Sequence, residues 1–323
     1  MLSALQAGIP LARRPFEELA RACGRAEAEL IDFVGDCRGR GIVRRFGAVF
    51  DARRMGYRSA LCAVRVPPEE LDGAGARASA LAGVTHCYHR AAAGGESSGA
   101  PNLWFTFSCP GGVFDAALVS VRARMAPHEV LVLPATRRYK VDVVFGGATR
   151  ARDERPEDPQ LPPLTPRERA IVRAVQGDTE VRPDYFAHLA ETLGEREWRL
   201  LATLELWRRQ GRLKRVGLVL RHRAAGWTAN GMCCWRVAGD TLEAGRALAA
   251  RDEVTHCYER PEAPGFPYNL FAMVHATSER GAAEQFAALD ATVRAAAGDA
   301  AAAATMLLSR KEYKKTSLEF FAR

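Results

Sequence analysis

Apolar positions along this chain follow two spacings, and their order repeats. Three- and four-residue spacing over 15–23 (PFEELARAC) and 26–37 (AEAELIDFVGDC) predicts two amphipathic helices, with Gly24 at the turn between them. Gly39 and Gly41 end the helical stretch, and 42–50 reads as a strand or hairpin wing. Beyond it the pattern predicts a strand at 59–66, a helix at 68–82, strands at 84–90 and 102–109, a helix at 112–125, and strands at 129–133 and 138–145. The second part follows the same order. Helices at 183–193 and 195–210 flank Gly194, Gly211 is a stop, and 213–221 is a strand. A strand at 228–237, a helix at 240–251, strands at 253–260 and 268–276, a helix at 278–298 and a strand at 304–318 complete it. Each copy is thus a winged helix-turn-helix followed by a ferredoxin-like βαββαβ unit, an α+β plan present twice in tandem. The Pro- and charge-rich segment 150–166 (RARDERPEDPQLPPLTP) reads as an extended linker. The expected organisation is winged helix-turn-helix 1–58, ferredoxin-like domain 59–149, linker 150–166, winged helix-turn-helix 167–227 and ferredoxin-like domain 228–323.

The duplication is visible in the residues themselves. VTHCYHR at 84–90 returns as VTHCYER at 254–260, RRFGAV at 44–49 matches KRVGLV at 214–219, and NLWF at 102–105 matches NLF at 269–271. On a strand, side chains alternate between faces, which puts His86, Tyr88 and Arg90 on one face and Thr85 and Cys87 on the other. His256, Tyr258 and Arg260 share a face in the same way. A ferredoxin-like sheet has helices on one side, so Cys87 and Cys257 are expected toward the helices, with His, Tyr and Arg on the side left for a partner or ligand. A duplicated fold keeps core residues as readily as site residues, and a strand tyrosine alone has a structural reading as good as a functional one. A histidine and an arginine on one face of both copies favour a site for an anionic ligand.

The copies are not equivalent. Their motif strands are joined by a small-residue loop in the first half (91–101, AAAGGESSGAP) and a Pro/aromatic loop in the second (261–268, PEAPGFPY), the first expected to be mobile and the second stiff. Asn269, Phe271, Met273 and His275 share a strand face, whereas the matching Asn102, Trp104, Thr106 and Ser108 offer no histidine. Tyr258, Tyr268, Phe271 and Trp227 would form an aromatic cleft ringed by arginines and histidines. Such a cleft suits a flat apolar ligand with several carboxylates, because guanidinium pairs bidentately with carboxylate and imidazole moves protons or ligates iron.

Composition narrows the partner only to something anionic. The chain has 323 residues and a formal net charge of +8. The helix at 26–37 would be the DNA-reading one, yet it carries Glu27, Glu29, Asp32 and Asp36 and neither Lys nor Arg, which repels phosphate and makes DNA an unlikely partner. Basic residues gather instead in the wings, as Arg44, Arg45, Arg53, Arg54 and Arg58, then Lys214, Arg215, Arg221, His222 and Arg223. The 8 cysteines form no CxxC, which argues against zinc or iron–sulfur ligation and for small buried residues in a reducing compartment. Neither a membrane span nor a secretory signal is apparent, so the expected location is the cytoplasm.

Several linked motifs then resemble a known family. They are RRPFEELA (13–20), GIVRRFGAVFD (41–51), VTHCY (84–88) and NLWFTF (102–107), followed by KRVGLVLRHRAAGWTANGMCCWRV (214–237), VTHCYERP (254–261) and YNLFAMVH (268–275). The architecture resembles Lrp/AsnC transcription regulators, and the motifs are similar to the siroheme decarboxylases built on that fold, in the fused two-subunit form associated with heme d1 biosynthesis. The resemblance implies loss of the C12 and C18 acetate carboxyls of siroheme, giving 12,18-didecarboxysiroheme and carbon dioxide. It implies no added cofactor, since the substrate brings its own iron. One departure stands in the first copy, where the family motif His-Asn-Tyr is replaced by His86-Cys87-Tyr88.

The candidate catalytic residues are His256, His222, His275 and Tyr258. Proton delivery falls to His256, with His222 or His275 as alternatives, and His256 or His275 is the expected axial ligand if the substrate iron takes one. Arg260, Arg215, Arg221, Trp227, Tyr268, Asn269, His86, Tyr88, Arg90 and Arg45 are the expected substrate contacts. Expected partners are siroheme and other enzymes of the heme d1 pathway, with the two halves pairing as an intramolecular pseudo-dimer and further homodimerisation open. The alternatives are a DNA-binding regulator sensing a small ligand or heme, and a non-catalytic tetrapyrrole carrier.

Overall fold

Helix signals near both chain turns build two matching helical units. The structure, a computed structural model, describes residues 1–92, 100–141, 161–221 and 228–322. In the first half α1 (Leu2–Ala7), α2 (Pro15–Ala22) and α3 (Glu27–Gly39) precede β1 (Val43–Phe50). Their counterparts are α6 (Pro166–Gln176), α7 (Tyr185–Thr192), α8 (Glu197–Arg209) and β7 (Leu213–Leu220). Helices α2 and α6 both begin with proline at their first position, where its missing N–H costs nothing. Gly24 and Gly194 sit at φ +66 and +63° in the turns that follow α2 and α7.

Helices α1 and α6 lie outside the sequence expectation. The start of α6 carries a legible signal. The Thr165 hydroxyl accepts from the Glu168 N–H at 3.3 Å while the Glu168 carboxylate accepts from the Thr165 N–H at 2.8 Å. The proline-rich run before it hides that capping box.

Strands β1 and β7 are not wings folded within their own halves. They pair with each other as a two-stranded antiparallel ribbon, with Gly47 opposite Gly217 at its centre. Helix α1 of the first half crosses to pack on β7, and α6 packs on β1. The glycines make those crossings possible. A Cβ on Gly217 would lie 2.4 Å from the Leu5 carbonyl oxygen, and one on Gly47 would lie 2.3 Å from that of Gly177. One apolar core, with Phe16, Phe46 and Leu30 from the first half and Tyr185, Leu204 and Trp207 from the second, therefore serves both helical units.

The remaining strands form a nine-stranded sheet in the order β5-β2-β4-β3-β11-β8-β10-β9-β6. The first half supplies β2 (Tyr57–Val64), α4 (Leu71–Ala80), β3 (Val84–Ala92), β4 (Leu103–Pro110), α5 (Phe114–Met125), β5 (Val130–Pro134) and β6 (Arg137–Val141). The second supplies β8 (Ala229–Val237), α9 (Leu242–Ala249), β9 (Val254–Glu259), β10 (Leu270–Ala276), α10 (Glu279–Ala297) and β11 (Ala301–Lys315). Four neighbouring strands from each half have the ferredoxin-like order, as the patterning predicts.

The halves exchange strands at both seams. The later part of β11 pairs with β3, placing Glu312 opposite Tyr88, and β6 pairs with β9, placing Arg138 opposite Tyr258. Cys87 and Cys257 do face the helices, each thiol lying near a helix carbonyl, Gly75 at 3.9 Å and Gly245 at 3.8 Å. The other sheet face is not left free. Ala63, Trp104 and Leu133 of the first half pack with Met232, Cys234, Phe266, Phe271 and Leu307 of the second, so each half is the other's partner.

Candidate functional site

Between the β1–β7 ribbon and the nine-stranded sheet lies one cavity of about 500 Å³, within the range of small-molecule sites. Both motif copies line it, His86, Tyr88 and Arg90 from β3 together with His256, Tyr258 and Arg260 from β9 and the residue after it. The wing residues turn inward. Arg44, Arg45, Lys214 and Arg215 line the same space, joined by Lys315 from the end of β11, and no aspartate or glutamate is among its described lining residues. Apolar walls come from Phe50, Trp104, Phe105, Leu218, Met232, Phe271 and Phe320.

Each motif builds the same stack. The His86 and Tyr88 rings are 6.3 Å apart and Arg90 lies 5.2 Å over the Tyr88 ring. In the second copy the matching distances are 6.1 Å for His256–Tyr258 and 4.8 Å for Arg260 over Tyr258. The two arginines also brace the halves against each other. Arg90 Nη1 donates to the Leu307 carbonyl at 3.2 Å, and Arg260 Nη1 donates to that of Leu133. Burial lowers both guanidinium pKa values to about 10, still far above neutrality, so both stay charged. Arg45 falls to about 10 chiefly by burial as well, aggravated by Arg44 and Arg215.

Thr85 and Thr255 depart from simple alternation. Each is the residue skipped where the pairing register slips, the extra residue of a β-bulge. The bulge turns the hydroxyl back toward the neighbouring histidine instead of toward the helices. Thr85 Oγ1 lies 2.9 Å from His86 Nδ1, and Thr255 Oγ1 lies 3.1 Å from His256 Nδ1.

The electrostatics favour an anionic guest. Burial, then Lys214, Arg260 and Arg138, push the His256 pKa down to about 4, so its imidazole is neutral in the ligand-free protein. Burial raises the Tyr258 hydroxyl, with Arg138 and Arg260 opposing. Behind this corner sits Asp51, 3.5 Å from Arg138 and 3.6 Å from Lys214. Burial alone would lift its carboxyl; Lys214, Arg138 and the Arg54 N–H outweigh that and hold it below the usual range.

Comparison with known proteins gives the chain a family. An AsnC-like ligand binding domain model matches residues 54–140 and 224–314, and a siroheme decarboxylase NirDL-like HTH domain model matches residues 1–44. A siroheme decarboxylase of Hydrogenobacter thermophilus is 32% identical over all of this chain and 94% of its own length. The siroheme decarboxylase NirDL subunit of Paracoccus denitrificans is 36% identical, covering 89% of this chain and 87% of the relative. The chain belongs to the siroheme decarboxylase family. A crystal structure of the siroheme decarboxylase NirDL in co-complex with an iron-uroporphyrin III analogue superposes with a TM-score of 0.72 at 30% identity, covering 98% of this chain and 92% of that one.

Within this siroheme decarboxylase fold, the expected site residues separate into groups. His256, His275, Tyr258, His86, Tyr88, Arg90, Arg260, Arg45 and Arg215 all meet at the cavity. His222 and Trp227 lie outside the described residues, as do most of the 91–101 loop and residues 142–160, which include most of the linker expected at 150–166. Asn269 is a correction. Its Oδ1 accepts from the Val237 N–H at 2.9 Å and its Nδ2 donates to the Val237 carbonyl at 2.8 Å, so both ends of the amide hold strand β8. Asn102 does the same for Val66 in the first half, which explains why both copies keep the residue.

Tyr268 is a second correction, since its ring packs 4.8 Å from Phe266 and is not part of the cavity lining. Arg221 is a third. It lies just past the end of β7, exposed, with its backbone N–H donating to Ile42, and it is not part of the lining. Arg90 and Arg260 differ from the expectation in kind, because they spend donors on backbone carbonyls as well as facing the cavity.

Sequence reasoning placed Arg44 and Lys214 in basic wings and missed that they face the cavity. It also missed Asn230 and the segment 315–318 as cavity residues. Ser317 receives both Arg44 Nη2 at 2.8 Å and Arg45 Nε at 3.0 Å, fixing the two cations side by side. Adjacent strand residues ordinarily face opposite ways, but the β1 register slips between Val43 and Arg45. The adjacent cysteines Cys233 and Cys234 obey the alternation, one in the helix-side core and one between the sheets, both free and buried.

Proposed function

We propose that this chain is a siroheme decarboxylase that removes the C12 and C18 acetate carboxyls, acting in the route to heme d1. The observation that carries the reading is the shared cavity: cations from both halves, aromatic walls and no carboxylate among its described lining residues. A flat tetrapyrrole rimmed with carboxylates matches each of those properties. The same observation weakens the regulator reading, because Arg44, Arg45, Lys214 and Arg215 serve the interior and not a DNA-facing surface.

In each turn, the bond between the acetate methylene and its carboxyl carbon breaks. Carbon dioxide leaves, the electron pair stays on the methylene carbon, and a proton converts it to methyl. One proton is consumed per carbon dioxide, and no electron enters or leaves. Arg45, Arg215 and Lys214 hold the carboxylates that stay, and the apolar walls strip water from the one that leaves. His256 supplies the proton and Tyr258 orients the reacting carboxylate. The iron comes with the substrate, so no added cofactor is invoked. His275 would have to give up a contact to reach that iron, since Nδ1 lies 3.4 Å from Thr255 and Nε2 lies 3.5 Å from Asn230.

Anaerobic incubation of the purified protein with siroheme, followed by mass analysis, tests the reading. The expected product lacks two carboxyl groups. Siroheme that binds and is recovered intact makes the chain a carrier and refutes the proposal.

A further inference from the structure

Thr255 stands beside two histidines of the second half, His256 and His275. Its Oγ1 lies 3.1 Å from His256 Nδ1, 3.4 Å from His275 Nδ1 and 3.2 Å from the Met273 carbonyl oxygen. A hydroxyl has one hydrogen and two lone pairs, and a carbonyl oxygen can only accept. One arrangement satisfies all three contacts at once: the hydroxyl hydrogen goes to Met273, and both imidazoles donate to Thr255 from Nδ1.

A separate route reaches the same state for His275. Guanidinium has donors only, so the Asn230 atom 3.2 Å from Arg90 Nη2 is the amide oxygen. That turns the amide NH2 toward His275 Nε2 at 3.5 Å, near the long limit of a hydrogen bond. Nε2 then accepts, and the ring hydrogen sits on Nδ1. The two directions meet at His275 without conflict, and the path Arg90–Asn230–His275–Thr255–His256 runs from the first-half motif to the second-half histidine.

We infer that Thr255 is a positioning residue that holds His256 as its Nδ1–H tautomer, leaving the Nε2 lone pair to take up and deliver the proton of the decarboxylation. This rests on the proposed function. In the step, a solvent proton binds Nε2, the carbon–carbon bond breaks, and the electron pair left on the methylene carbon takes that proton. The Nδ1–H bond to Thr255 stays intact throughout. Among the described residues the matching positions of the first half carry different groups. Thr85 Oγ1 meets His86 Nδ1 at 2.9 Å and the Thr106 hydroxyl at 2.9 Å, and where the second half has Asn230 and His275 the first has Ser59 and Ser108, 2.7 Å apart. Hydroxyls rotate to suit either tautomer, so the Thr85–Thr106 contact does not by itself assign the hydrogen of His86.

The test pairs ¹⁵N NMR of the histidine rings in the ligand-free protein with siroheme turnover. Wild type shows His256 as Nδ1–H, Thr255→Val moves it toward Nε2–H, and Thr255→Ser keeps the wild-type signature. Thr255→Val lowers kcat about tenfold or more while KM stays within about threefold, and Thr255→Ser restores turnover. An Nε2–H signature in wild type, or wild-type kcat in Thr255→Val, overturns the inference. Should the valine variant fail to fold, the wild-type signature and the serine variant still decide. Wild type that never releases carbon dioxide would sink the proposed function, while the tautomer result stands or falls separately.

Discussion

Filling the cavity with a carboxylated tetrapyrrole should turn His256 from a neutral ring into a proton donor. In the ligand-free protein its pKa is about 4. At pH 7 only about one ring in a thousand is then protonated, too few for efficient delivery. A carboxylate brought to about 4 Å at an effective dielectric constant of about 20 contributes about 4 kcal/mol, or about 3 pKa units. That lifts His256 to about 7, where the protonated form is plentiful and the proton still leaves readily. The sign follows directly: with ligand bound, protonation is present below about 7 and lost above it. The assay is an NMR titration of the His256 ring with and without metal-free uroporphyrin, a diamagnetic polycarboxylate. The same value should appear as the alkaline limb of the kcat profile, and His256→Gln should lower kcat by about a hundredfold or more. A His256 pKa that stays near 4 in the complex, or near-normal turnover in His256→Gln, refutes the reasoning.

Other outcomes follow from the same geometry. Arg45→Ala and Arg215→Ala should each raise KM about tenfold with kcat nearly unchanged, the loss of one charge-assisted hydrogen bond to a carboxylate that is not the one leaving. Gly217→Val should lower stability by about 3 kcal/mol, read as a drop in Tm, because its Cβ collides with the Leu5 carbonyl at the crossing of α1 and β7. Asp51→Asn should cost about 1 kcal/mol at neutral pH by removing the carboxylate that Arg138 and Lys214 flank. Because the Asp51 pKa is depressed by folding, that contribution is present above the unfolded carboxyl pKa and disappears as pH falls through the folded value. A Tm difference from wild type that persists unchanged in strong acid would contradict it. Cys233 and Cys234 should resist thiol reagents in the native state and form no mutual disulfide, since burial raises both thiols and they face opposite sides of β8.

Much of this arrangement is legible in local patterning. Period-two alternation places His256, Tyr258 and Cys257 on their correct faces, and the repeat itself predicts that the two halves pair. Pairings between residues far apart in the chain are another matter. Nothing near 42–50 says that β1 will pair with β7 and carry Arg44 and Arg45 into a cavity, because that contact depends on the whole second half. The bulges at Thr85 and Thr255 are invisible to a strict alternation rule, which sends both hydroxyls to the wrong face. Asn269 shows the opposite error. A polar residue repeated beside a site reads as ligand-binding, yet both ends of its amide are consumed by Val237.

The asymmetry between the copies was legible in part. The absence of a first-half equivalent to His275 is plain from the paired motifs. Its consequence arises only in the folded sheet, because Asn230 and Thr255 become partners of His275 once β8, β9 and β10 lie side by side.

A single turnover of siroheme in deuterium oxide, under strict exclusion of oxygen, tests the central claim most directly. The account predicts a product short of two carboxyl groups, with one solvent deuterium in each new methyl at C12 and C18. Siroheme recovered with all its carboxylates and no deuterium would contradict it.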